Sequence, residues 1–168
     1  MYTGEVNEIV IIGAGRLAAH LGKAFLRQGM KVVQVYNRTP GRGRDLANRI
    51  GAGFTSEIPE IYLQADLYIL AVSDSVLGEL ASRLTLKNGL VVHTSGTVEM
   101  DILSPISENI GVFYPVQTFS QNRRVNFQTI PVCIEGNSDS TLHTLSDFAN
   151  KLTNRVYILD SDQRRLLH

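Results

Sequence analysis

The chain has 168 residues, sixteen basic and sixteen acidic side chains and no net charge. That length fits one domain able to bury a core without covalent staples, and the charge balance argues against a general nucleic-acid or membrane-surface binder. A hydrophobic fraction of 43% gives no sign of disorder, the lone Cys133 excludes an intrachain disulfide framework, and neither a membrane-length apolar run nor a leader pattern in residues 1–7 is present. These features predict a cytoplasmic protein.

Residues 9–12 (Ile-Val-Ile-Ile) form an unbroken β-branched run, the pattern of a strand buried on both faces. Gly13-Ala14-Gly15 follows as a tight turn. From Arg16 a helical pattern begins, with Leu17, Leu21, Ala24 and Phe25 on one face. Strand, glycine turn and helix together make the Gly-x-Gly-x-x-Ala form of the dinucleotide fingerprint. In it Gly13 permits the turn, Gly15 lets a pyrophosphate approach the backbone, and Ala18 lets helix and strand pack closely. Ala14, Arg16 and Leu17 complete the phosphate-facing turn, where the free N–H groups of the first helical turn and the helix dipole favour an anion.

Arg27-Gln28-Gly29 reads as a helix stop, with Gly29 at C′. Lys31–Tyr36 reads as a second strand, set parallel to the first by a right-handed crossover. It ends in Asn37-Arg38-Thr39-Pro40. An NAD-type site carries an Asp or Glu here for the ribose hydroxyls; this chain carries Arg38, flanked by the small donors Asn37 and Thr39, with Arg42 and Arg44 close behind. An Arg fork matches a 2′-phosphate, so the expected cofactor is NADP, with NADPH preferred over NADH. Arg42 and Arg44 also suit a solvated basic face.

A short helix is expected over residues 45–50, closed by Gly51 and Gly53. Phe54-Thr55 suggests a brief third strand, and residues 59–63 a helical turn. Residues 66–72 (Asp-Leu-Tyr-Ile-Leu-Ala-Val) are a strong strand pattern, followed by Ser73-Asp74-Ser75 and a helix through Leu77, Leu80, Ala81 and Leu84. Ser73 or Asp74 is the expected cap. Because ligands of such sheets sit at the carboxyl ends of strands, Ala71, Val72 and Ser73 are expected beside the cofactor. After the turn at residues 87–89, Leu90–His93 is the next strand. The polar segment behind it offers Thr94, Ser95 and Gly96 as cofactor or substrate contacts; His93 reads either as a hydrogen-bonded structural residue at the strand end or as a candidate acid or base.

Further strands are expected over residues 111–115, 131–135 and 155–159, with a helix from Ser138 or Asp139 through Leu142, Leu145, Phe148, Ala149 and Leu152. Asp160 or Ser161 starts a last helix that leaves Leu166 and Leu167 with little to pack on. Hence a dinucleotide-binding domain is expected over residues 1–159, with residues 160–168 leading into a further domain. There is no His/Cys cluster with metal-ligand spacing, no Gly-x-Ser-x-Gly elbow and no Walker A sequence.

Gly13-Ala14-Gly15 with Ala18-Ala19-His20-Leu21-Gly22, Asn37-Arg38, Ala71-Val72-Ser73-Asp74, His93-Thr94-Ser95-Gly96-Thr97, the segment from Phe113 to Phe119 and that from Gln163 to His168 together resemble the bacterial proteins with a Rossmann-like domain followed by a DUF2520 domain. The resemblance spans essentially the whole chain. It is more distant to pyrroline-5-carboxylate reductase, to coenzyme F420-dependent NADP oxidoreductase and to the β-hydroxyacid dehydrogenases. The DUF2520 family commonly carries Asn at the position of Arg16.

The resemblance implies an α/β, doubly wound, mostly parallel Rossmann-like sheet with helices on both faces, and a C-terminal helical domain, apart from this chain, through which a homodimer can form. It implies an NADP-dependent oxidoreductase passing hydride to or from a small carbonyl, imine or hydroxy-acid substrate of unassigned identity. The reacting end falls near Ser95, Gly96 and residues 114–118, so Tyr114 and Gln117 are candidates to orient substrate, and His168 to face the cleft. No metal is implied. A non-catalytic NADP(H) sensor and an interaction module remain as alternatives, since fold alone does not choose among them.

Overall fold

The computed structural model describes residues 5–120 and 123–168; residues 1–4, part of the stretch read for a leader, lie outside it. Strand β1 (Glu8–Ile12) is the third strand of an eight-stranded sheet. Beside it lie β2 (Lys31–Tyr36) and β3 (Gly53–Thr55) on one side. On the other are β4 (Leu67–Leu70), β5 (Leu90–His93), β6 (Ile110–Pro115), β7 (Val132–Gly136) and β8 (Val156–Ile158). The order is β3-β2-β1-β4-β5-β6-β7-β8, parallel throughout except for the antiparallel β6–β7 pair.

Side-chain alternation divides the core in two. Ile9 and Ile11 point to one face, where α1 (Arg16–Arg27), α2 (Pro40–Ile50) and α4 (Asp139–Asn150) supply Leu21, Phe25, Leu46, Leu145 and Phe148. Val10 and Ile12 point to the other, onto Leu77 and Leu80 of α3 (Asp74–Ala81). Every residue of β4 and β5 is buried, which explains why these strands read as continuous apolar runs rather than alternating ones. No helix of the described residues is long and apolar enough to cross a membrane.

Two helix starts differ in detail from expectation. Helix α2 begins at Pro40, not Asp45. Proline's fixed φ suits a first helical turn, where its missing N–H leaves no intrahelical bond unmade. Ser73 occupies the N-cap of α3, yet its hydroxyl makes no cap bond, and the Asp74 carboxylate accepts instead from Thr97 Oγ1 at 3.0 Å. The other caps follow the sequence signals. Gly29 and Gly51 take φ of +70° at helix ends, and Ser138 Oγ accepts from the Thr141 N–H. The last helix, α5 (Ser161–Leu167), opens with a reciprocal box: the Gln163 N–H donates to Asp160 Oδ1, and the Asp160 N–H to Gln163 Oε1.

Candidate functional site

The strand order reverses at β1, whose neighbours β2 and β4 lead off in opposite directions. The loops that follow these strands therefore part, leaving a crevice at their carboxyl ends. A cleft of about 610 Å³ occupies it. It runs past the ends of β2, β1, β4, β5 and β6, a width of roughly 19 Å at the usual strand spacing.

The floor is the β1–α1 turn. Gly13 has φ of +118°, and a Cβ there would overlap the Ala71 carbonyl, so only glycine fits. The Gly13 N–H donates to the Tyr36 carbonyl at 2.8 Å, and the Ala71 N–H to the Ile12 carbonyl at 2.8 Å, tying the turn to both neighbours of β1. At Gly15 a Cβ would meet nothing within 4 Å. Its missing side chain leaves open space above the start of α1. That helix has no side-chain cap and no acid in its first turn, so its leading N–H groups and dipole are available to an anion.

At the β2 end, Asn37 Nδ2 donates to the Thr39 carbonyl at 2.8 Å and shapes the loop carrying Arg38. The Arg38 guanidinium approaches Glu79 of α3 at 3.8 Å, and Arg83 approaches the other oxygen of the same carboxylate at 3.6 Å. Both arginines line the cleft. Glu79 and Arg83 escaped the sequence reading. Their i,i+4 spacing was visible, but only the sheet brings α3 opposite the loop after β2. Arg42 lies outside this cleft, in a groove between α1 and α2 with Arg16, Lys23 and Arg49, and Arg44 lies over the Phe54 ring, 5.7 Å from its centroid.

At the β5–β6 end the cleft is lined by Thr94, Ser95, Gly96, Thr97, Tyr114 and His168. Ser95 Oγ accepts from the N–H groups of Thr97 (3.1 Å) and Val98 (3.0 Å), fixing a tight polar loop. Tyr114 Oη and His168 Nδ1 are 2.9 Å apart. The sequence candidates Gly13 to Leu17, Asn37 to Thr39, Ala71 to Ser73 and Thr94 to Gly96 thus share one cavity with Tyr114 and His168.

Two candidates do not. His93 has no exposed surface. Its Nδ1 accepts from the Ser95 N–H at 3.1 Å, which leaves Nε2–H to donate to the Glu99 carbonyl at 3.1 Å. Burial pushes its pKa down to about 4, against a smaller opposing effect of the Glu99 carbonyl, so it is a neutral anchor for the loop rather than an acid or base in the cleft. Gln117 is exposed and lies outside the cleft lining. Just beyond it the chain fastens to α1, where His20 Nε2 bonds the Ser120 carbonyl at 2.8 Å and the His20 ring lies 5.1 Å from that of Phe119. Among the described residues no cluster of His, Cys, Asp and Glu is placed to hold a metal ion.

The sequence profile of the Rossmann-like domain family matches residues 5–116, which hold the first six strands and the whole fingerprint turn. The chain belongs to that family. Among solved structures this Rossmann-like chain is similar to a Bacteroides fragilis protein provisionally assigned as an NADP oxidoreductase, with 42% identity and a TM-score of 0.92, covering 98% of this chain and 64% of that one. A pyrroline-5-carboxylate reductase of Streptococcus pyogenes shares the fold at 14% identity and a TM-score of 0.73, over 92% of this chain and 59% of that one. Among curated sequences, the shikimate dehydrogenase (NADP(+)) of Sinorhizobium medicae is 34% identical over 79 residues, 45% of this chain and 28% of that protein. The chain thus spans under two thirds of the Bacteroides protein and under a third of the curated relative.

Proposed function

We propose that the chain is the NADP(H)-binding part of an oxidoreductase that acts on a small carbonyl, imine or hydroxy-acid substrate, with a further helical domain supplying the rest of the substrate site. The observation that carries the reading is the β1–α1 turn. It joins a glycine locked by the Ala71 carbonyl, open space at Gly15 and an uncapped helix start without acids. Such a cradle fits a pyrophosphate. Gly13 to Leu17 would hold it, and Ala71 to Ser73 and Thr94 to Gly96 would flank the rest of the dinucleotide. A bound reduced nicotinamide supplies a hydride, which the chain must orient and shelter. The similarity to the Bacteroides fragilis protein supports an NADP-linked chemistry.

Preference for NADP rests on Arg38, with Arg83 as a second cation about the same carboxylate. A 2′-phosphate carries up to two negative charges and competes with Glu79 for both guanidinium groups. Charge-assisted hydrogen bonds contribute about 1.5–3 kcal/mol each. Arg38 and Arg83 are largely exposed, so the lower figure applies, corresponding to roughly tenfold in affinity per arginine.

The test is calorimetric titration with NADPH and NADH of the chain, and of its Arg38→Ala and Arg83→Ala variants. The expected result is at least tenfold tighter binding of NADPH, with most of that margin lost in Arg38→Ala. Equal affinity for both nucleotides removes the NADP assignment. Failure of both to bind, here and in the longer protein, removes the cofactor reading and favours an interaction module.

A further inference from the structure

We infer that Tyr114 and His168 form one proton-handling pair at the β5–β6 end of the cleft, serving a substrate whose carbonyl oxygen must gain a proton. The inference rests on the cofactor reading given above and adds to it the acid of the reaction.

Three segments far apart in sequence meet there. Tyr114 comes from β6, His168 from the end of α5, and Gly96 from the loop after β5. Tyr114 Oη lies 2.9 Å from His168 Nδ1, with the rings edge-on at 6.0 Å between centroids. A Cβ at Gly96 would stand 2.6 Å from His168 Nδ1 and 2.8 Å from Tyr114 Cζ. Glycine at this position is what allows the pair to close over the loop. Helix α5 is held by its capping box and by Arg164, which donates to Glu135 and to the Val98 carbonyl, and His168 follows directly at its carboxyl end. Both rings line the cleft alongside Ser95.

The chemistry follows from charge balance. A carbonyl that receives a hydride gains an electron pair at carbon as its C=O π bond opens, and the oxygen must take one proton. Tyr114 donates the phenolic proton as its O–H bond breaks and the new O–H bond forms. A protonated His168 passes its Nδ1 proton to Tyr114 Oη, restoring the phenol and leaving a neutral imidazole. His168 is exposed, so water recharges it. Burial raises the Tyr114 pKa, which keeps the phenol protonated and a donor at neutral pH. The titratable and charged groups acting on Tyr114 are Cys133 on β7 and Arg164 on α5, and Asp74 on α3 lines the same cleft.

A binding experiment tests this without a substrate. The affinities of NADP+ and NADPH are measured from pH 5 to 9 by titration calorimetry, for the wild type, His168→Gln and Tyr114→Phe. The 2′-phosphate titrates in both nucleotides and cancels from their ratio. Protonated His168 repels the cationic oxidised ring but not the neutral reduced one. The ratio Kd(NADP+)/Kd(NADPH) is therefore expected to be about threefold higher at pH 5 than at pH 9, the order of like-charge repulsion between unit charges in water. This step is expected to vanish in His168→Gln and to change in size in Tyr114→Phe. A flat ratio in the wild type, or an unchanged step in His168→Gln, overturns the pair while leaving the cofactor reading intact. No binding of either nucleotide at any pH overturns both.

Discussion

The Arg164 guanidinium lies 2.6 Å from the Glu135 carboxylate, with the arginine side chain 1% exposed and the glutamate 15%. This pair fastens α5 to β7. Arg164 is the largest fully buried side chain among the described residues, and it holds α5 against the sheet. Arg164 also donates to the Val98 carbonyl, and Ser161 Oγ donates to Glu135 at 3.0 Å, so the carboxylate is doubly served.

Removing one member leaves the other buried without compensation, which costs about 3–5 kcal/mol in buried pairs. Glu135 keeps some solvent access, so Arg164→Ala is expected to cost about 3 kcal/mol in urea denaturation. The Arg164→Met, Glu135→Gln double variant is expected to recover more than half of that. A double variant as unstable as Arg164→Ala alone would show that lost packing, not the stranded charge, sets the cost.

Gly13 and Gly15 sit two residues apart yet answer to different demands. Gly13→Ala faces a φ of +118° and an overlap with the Ala71 carbonyl. It is expected to destabilise the fold by about 2 kcal/mol or more. Gly15→Ala meets nothing within 4 Å at a φ of −78°, so its thermal unfolding is expected to stay within about 0.5 kcal/mol of the wild type. Its methyl group points into the space proposed for the pyrophosphate, and its NADPH affinity is expected to fall at least tenfold. A stable Gly15→Ala that binds NADPH normally argues against that placement.

His93 makes stability depend on pH. Its folded pKa is about 4, below the 6.5 of the unfolded chain. Between these values the unfolded chain binds the extra proton, so stability falls as pH drops from 6.5 toward 4 and is unaffected by this residue above 6.5. At about 1.4 kcal/mol per pH unit the loss is on the order of 3 kcal/mol. Protonation also breaks the bond that Nδ1 accepts from Ser95, loosening the loop at the cleft. Denaturation midpoints across this range, compared with His93→Asn, check the sign. A variant with the same acid slope as the wild type would assign the slope to other groups.

Much of the fold follows from local pattern. Unbroken apolar runs such as residues 67–70 mark strands buried on both faces, and Gly29 and Gly51 mark helix ends, because backbone preference and burial act residue by residue. The Gly13-to-Ala18 turn was legible for the same reason: its chemistry is contained in six consecutive residues. The start of α2 was missed because Pro40 reads both as a turn residue and as a first helical residue, and sequence spacing alone does not separate the two.

What sequence by itself determined, then, is the strand–turn–helix cradle, most helix ends and the run of strands. Tertiary structure alone decided which distant side chains meet. It turned His93 inward as a neutral anchor, sent Gln117 away from the cleft, set Glu79 between Arg38 and Arg83, and closed Tyr114 on His168 over Gly96. Those outcomes depend on strand order and on which face each residue takes, and such relations are fixed by packing across the sheet rather than by neighbours along the chain.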